Sequence, residues 1–88
     1  MNIKPGFVIR DVAGQAVAVA VGEASKSFRG MIKLNATGAV VWRGIAEGLD
    51  QNQIADRIAE KFGAEREEAL ADVEGFIARL RDLGIVEG

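Results

Sequence analysis

Phe28-Arg29-Gly30-Met31-Ile32-Lys33-Leu34-Asn35-Ala36-Thr37-Gly38-Ala39-Val40-Val41-Trp42 changes its period part-way along. Up to Leu34 the residues alternate. Phe28, Gly30, Ile32 and Leu34 share one parity, and Arg29, Met31 and Lys33 share the other. Period two predicts a strand over Phe28 to Leu34 with one buried face. Asn35 is a strong helix N-cap, because its side-chain oxygen can accept an amide hydrogen of the first turn. Beyond it Val41, Trp42, Ile45 and Leu49 recur at helical spacing. The sequence therefore predicts strands before Asn35 and helices after it.

Upstream, Phe7 to Val12 and the alternating run Ala16 to Val21 form a predicted β-hairpin around Ala13-Gly14-Gln15, with Gly14 suited to a tight turn. Val17, Val19 and Val21 fall on one face of the second strand and the alanines on the other. The small alanine face leaves room for a helix to lie across it. Gly22 to Ser27 reads as a polar loop leading to the third strand.

Downstream, a first helix is predicted from about Ala36 to Glu47. Gly38 and Gly44 inside it each cost about 1 kcal/mol relative to alanine, so packing around Trp42 must hold it. Asp50 with Gln53 makes a capping box for a second helix, which carries Ile54, Ile58 and Phe62 at four-residue spacing and ends at Gly63. A third helix follows, acidic at its start (Glu65, Glu67, Glu68) and basic at its end (Arg79, Arg81), both suited to the helix dipole. Leu70, Val73, Phe76, Ile77, Leu80 and Leu83 form its apolar stripe, and Gly84 with Ile85 suits a Schellman closure. The expected architecture is α+β: a three-stranded antiparallel sheet followed by three helices, winged helix–turn–helix-like, in a single domain over residues 1–88.

Composition narrows the chemistry. The chain has 88 residues, a formal net charge of −2, no cysteine and no histidine. Disulfides, thiol catalysis, zinc sites built on these ligands and a Ser-His-Asp arrangement are all excluded. Residues 1–34 carry five basic and two acidic side chains, and the remainder six basic and eleven acidic, so a basic sheet is joined to an acidic helical half. No signal peptide or bilayer-length apolar run is visible, and a soluble cytoplasmic protein is expected. Asp56 and Glu60, one turn apart, fit a solvated helix face better than an acid–base pair. No cofactor or metal site is readable, and the expectation is a non-enzyme. Winged-helix domains often bind DNA, but acidic groups on the first half of the third helix oppose a phosphate backbone. That reading is the alternative.

The remaining possibility is binding through the backbone. The third strand can be an edge, and a peptide could add to it as a further strand. Gly30 would permit close approach of another backbone. Arg29 and Lys33, on the outward parity, favour an acidic peptide. The bland reading of the same residues is edge protection, and edge pairing into a homodimer is a third use of that rim.

Val21-Gly22-Glu23-Ala24-Ser25, Phe28 to Gly38 with its Leu-Asn-x-Thr-Gly core, and Trp42 resemble the PqqD family. Ala71 to Leu80 followed by Gly84-Ile85-Val86 resembles that family's closing helix. The resemblance implies a winged helix–turn–helix-like fold and a function in recognising the leader of a ribosomally made precursor peptide. It implies that the leader adds along the third strand, at Phe28, Arg29, Gly30, Met31, Ile32, Lys33 and Leu34, in a cleft shared with the third helix. On that helix Asp72, Phe76, Arg79 and Leu83 define one flank, and Leu70, Ile77 and Arg81 the other. The first flank is the expected wall. The implied partners are the precursor and a modifying enzyme, either a radical SAM protein or a lasso-type protease and cyclase pair.

Overall fold

A computed structural model describes residues 1–28 and 30–88. Its elements are β1 (Asn2–Ile3), β2 (Phe7–Val12), β3 (Gln15–Ala20), α1 (Ala24–Ser27), β4 (Met31–Leu34), α2 (Ala36–Ala46), α3 (Gln51–Phe62), α4 (Arg66–Asp82) and β5 (Val86–Glu87). β2, β3 and β4 form an antiparallel sheet in that order. α2 packs against β4, and α3 and α4 pack against α2 to complete one core with the sheet. The expected α+β arrangement is therefore present.

The hairpin sets the sheet's geometry. Val12 pairs with Gln15, so Ala13 and Gly14 alone make the turn. Both have positive φ, 52° and 80°, as a type I′ turn requires. The alanine face of β3 meets the helices: Ala18 pairs with Ile32 and Ala16 with Leu34, and Ala18, Ile32 and Leu34 are buried. They join Val41, Trp42 and Ile45 of α2, Ile54 and Ile58 of α3, and Val73, Ile77 and Leu80 of α4 in one core.

Two glycines in α2 are explained by contact distance. A Cβ on Gly44 would come within 2.7 Å of Ile54 Cγ1, and one on Gly38 within 2.9 Å of Phe76 Cε2. The helix gives up intrinsic propensity at both positions so that α3 and α4 can approach it.

The local signals hold. Asn35 Oδ1 accepts from the Gly38 amide at 2.7 Å. Asp50 and Gln53 exchange both capping-box bonds, at 2.8 and 2.9 Å. Beyond α4 the Ile85 amide donates to Leu80 O and the Gly84 amide to Arg81 O, each at 2.9 Å, which closes the helix in a Schellman motif.

Four expectations need correction. The third strand begins at Met31, not Phe28. Gly30 has a φ of 90° and sits outside the ladder, and Arg29 lies outside the described residues. The segment expected as a polar loop holds the short helix α1, and Phe28 is that helix's C-cap, donating to Ala24 O at 3.0 Å. Phe62 and Leu83, placed on apolar stripes, are 43% and 41% exposed, because each lies at a helix end beyond its neighbours. Finally, β1 and β5 pair with each other, Asn2 with Glu87 and Ile3 with Val86, and tie the two ends of the chain together.

Candidate peptide-binding edge

β4 is an edge of its sheet: among the described residues it pairs with β3 and with no other strand. The phase of its hydrogen bonds follows from the turn. In a two-residue hairpin the residues flanking the turn exchange backbone bonds, and such pairs alternate along the ladder. Val12 and Gln15 therefore bond, as do Arg10 with Val17 and Val8 with Val19, so Gln15, Val17 and Val19 direct their backbone groups towards β2. Ala16 and Ala18 then direct theirs towards β4, where they meet Leu34 and Ile32. By alternation, the N–H and C=O groups of Met31 and Lys33 point away from the sheet, at the open edge. Four unpaired backbone groups are presented side by side.

α4 walls the space beside this edge. At the C-terminal end of β4, Asn35, Thr37 and Gly38 face Ala71, Asp72, Gly75, Phe76 and Arg79 across a cleft of about 400 Å³. At the other end, Phe28, Phe7, Ala24, Lys4 and Pro5 meet Leu83 and Gly84 around a second cleft of about 310 Å³. Phe28 and Phe7 hold each other edge-to-face, with centroids 5.4 Å apart and planes at 76°. A larger cleft, about 550 Å³, lies on the opposite flank of α4 with Leu70, Glu74, Arg81 and the start of α3. Unlike the two smaller clefts, it includes no residue that flanks β4 in sequence, such as Phe28 or Asn35.

The structure thus distributes the anticipated residues among three roles. Met31, 57% exposed, and Lys33 stand on the outward face with free backbone groups beneath them. Ile32 and Leu34 are core residues, 7% and 1% exposed, so they shape the strand without offering a side chain to a guest. Asp72, Phe76 and Arg79 line the first cleft, and Phe28 and Leu83 the second. Gly30 is exposed, and a Cβ on it would meet nothing within 4 Å. Its positive φ, just before β4, is a backbone conformation that favours glycine.

Phe7, Lys4, Ala24, Asn35 and Thr37 were not anticipated as lining residues. Phe7 has the parity of Ile9, on the helix-facing side of β2, while Ala24, Asn35 and Thr37 fall within the segments that carry the family resemblance. The first half of α4 keeps Glu67, Glu68, Asp72 and Glu74 exposed, an unsuitable surface for duplex phosphates. Among the described residues no group of His, Cys, Asp or Glu is placed to hold a metal ion. Nor is any helix there long and apolar enough to cross a membrane.

The family profile described as Coenzyme PQQ synthesis protein D (PqqD) matches residues 15–86. The chain belongs to the PqqD family. No curated protein sequence matches it. Among solved structures, TbiB1 in complex with the TbiA(beta) leader peptide is similar at a TM-score of 0.80 and 22% identity, covering 100% of this chain and 96% of that one. Lasso peptide synthetase B1 complexed with the leader peptide is similar at a TM-score of 0.79 and 16% identity, covering 99% and 96%. At these identities the likeness is one of fold. In this PqqD-family chain the edge strand is β4.

Proposed function

We propose that residues 1–88 act as one peptide-recognition unit that takes the leader of a ribosomally made precursor as an added strand on β4 and presents it to a modifying enzyme. The observation that carries this reading is the outward set of N–H and C=O groups on Met31 and Lys33, beside a helix with a cleft at each end of the strand. Family membership supports it, and so does the likeness to two proteins solved with leader peptides bound.

The energetics suit reversible capture. Four main-chain hydrogen bonds contribute about 0.5–1.5 kcal/mol each, and they require no particular guest sequence. An apolar guest side chain seated in a cleft adds about 1.5–3 kcal/mol before ordering costs. The chain would act by raising the effective concentration of the precursor at the enzyme, not by chemistry of its own. The enzyme is a radical SAM protein or a lasso-type protease and cyclase, and co-purification with each would distinguish them.

The test is a titration of ¹⁵N-labelled protein with the leader of a precursor encoded beside its gene. Shifts concentrated at Met31, Lys33 and the Asp72 to Leu83 flank are expected. Saturable binding with those amides unmoved would overturn the proposed site.

A further inference from the structure

The outward face of the sheet is ordered in rows that run across the strands. Val8, Val19 and Met31 are successive partners and form one row. Arg10, Val17 and Lys33 form the next. Between these two rows, on the helix-facing side, run Ile9, Ala18 and Ile32. A strand added to β4 extends each row by one residue, because side chains directly opposite in a ladder share a face.

The two outward rows differ in chemistry. The Val8–Val19–Met31 row is wholly apolar and ends at a side chain that is 57% exposed. The Arg10–Val17–Lys33 row has a cation at each end. Val17 between them is only 2% exposed although it faces away from the helices, as expected when long cationic stems lie along an aliphatic neighbour. Among the described residues neither Arg10 nor Lys33 is in an ion pair. The row carries no carboxylate, and the one acidic residue of the sheet, Asp11, has the opposite parity.

Resting on the strand-addition reading, we propose that the guest strand carries a carboxylate side chain opposite Lys33 and a large apolar side chain opposite Met31, two positions apart on one face. The residue between them turns to the other face, continuing the Ile9–Ala18–Ile32 row towards α4, and is apolar. The spacing is the same for either strand direction, so the rule does not depend on guest polarity. It makes Lys33 a specificity residue for the sequence of the leader, separate from the backbone groups that supply affinity to any extended segment.

A display library of random 20-residue peptides, selected on the intact protein at low salt, tests this. Binders are first located by the shifts of the Met31 and Lys33 amides. Synthetic pairs with Glu or Lys at the position opposite Lys33 are then titrated against the native protein and against Lys33→Glu, with circular dichroism checking that the variant is folded. The native protein should prefer Glu by up to about fivefold, the range of one cross-strand charge pair. Lys33→Glu should invert that preference, and added salt should flatten it in both. Equal affinities, or a preference that survives Lys33→Glu, overturn the rule while leaving strand addition intact. If no selected peptide shifts the Met31 and Lys33 amides, strand addition itself fails and the rule falls with it.

Discussion

The ring of Phe76 occupies the place that a side chain on residue 38 would take: a Cβ built on Gly38 would lie 2.9 Å from Phe76 Cε2 and 3.2 Å from Asn35 Oδ1. One missing methyl group joins the helix cap, the start of α2 and the cleft-lining face of α4. Gly38→Ala gains helix propensity but forces the ring or the cap to move. A net loss of about 1–3 kcal/mol is expected, as for overpacking elsewhere. Chemical denaturation measures it, and Phe76→Leu in the same background should recover part of the loss. Equal stability of Gly38→Ala and native protein would show that the ring yields freely.

Met31→Pro separates the edge from the fold. Proline removes an outward amide and leaves the bonds from Ile32 and Leu34 to β3 in place, a position at which sheets tolerate it. Thermal unfolding should change little, while leader affinity falls about tenfold from the lost hydrogen bond and the ring's bulk. Calorimetric titration is the readout, and undiminished affinity in a folded variant counts against strand addition.

The flanks of α4 are predicted to be unequal. Arg79→Ala, on the cleft beside β4, should weaken leader binding, while Arg81→Ala should leave it unchanged. Arg81 points to the other flank, where its Nη2 donates to Gly88 O at 2.8 Å. Titration of both variants with one leader peptide decides the matter. A larger effect at Arg81 would move the site to the α3 side.

Acid sensitivity is expected between α2 and α3. Arg57 donates to Glu47 through Nη1 to Oε2 at 2.7 Å. That hydrogen bond holds the Glu47 carboxyl below the ordinary glutamate value, and Arg57 is raised in turn. A carboxylate whose folded pKa is depressed contributes stability above its unfolded pKa and loses it as pH falls through the folded one. Tm should therefore drop on acidification through the carboxylate range, and less steeply in Glu47→Gln. Both groups are exposed, so the difference in slope is small. Parallel slopes would assign the pair no role.

The legible parts of the fold were the ones settled within a few residues. The Asn35 cap, the Asp50–Gln53 box and the Gly84 closure each depend on a side chain or a φ angle acting on its own turn, and each lies where the sequence placed it. The start of the third strand was not local. Phe28 has the parity of a strand residue, but it turns to meet Phe7 edge-to-face, and no window around residue 28 contains that partner. The β1–β5 bridge joins two residues at each end of the chain and has no periodicity to detect. The exposure of Phe62 and Leu83 was hidden for a related reason: an apolar stripe shows which face is buried, not how far along the helix the neighbours extend. For the candidate site, the edge strand followed from element order, whereas walls such as Lys4, Phe7 and Thr37 depend on tertiary approach.

The two-residue tip formed by Ala13 and Gly14 sets the register of β2 on β3, and the burial of Ile32 and Leu34 agrees with it on which two amides of β4 are left over. Swapping that parity would turn Ile32 and Leu34 out of the core and Met31 and Lys33 into it, because a one-residue slip moves every side chain of a strand to the opposite face. The open edge is thus fixed by what lies inside the molecule: the side chains that fill the core decide which backbone groups of β4 are left outside.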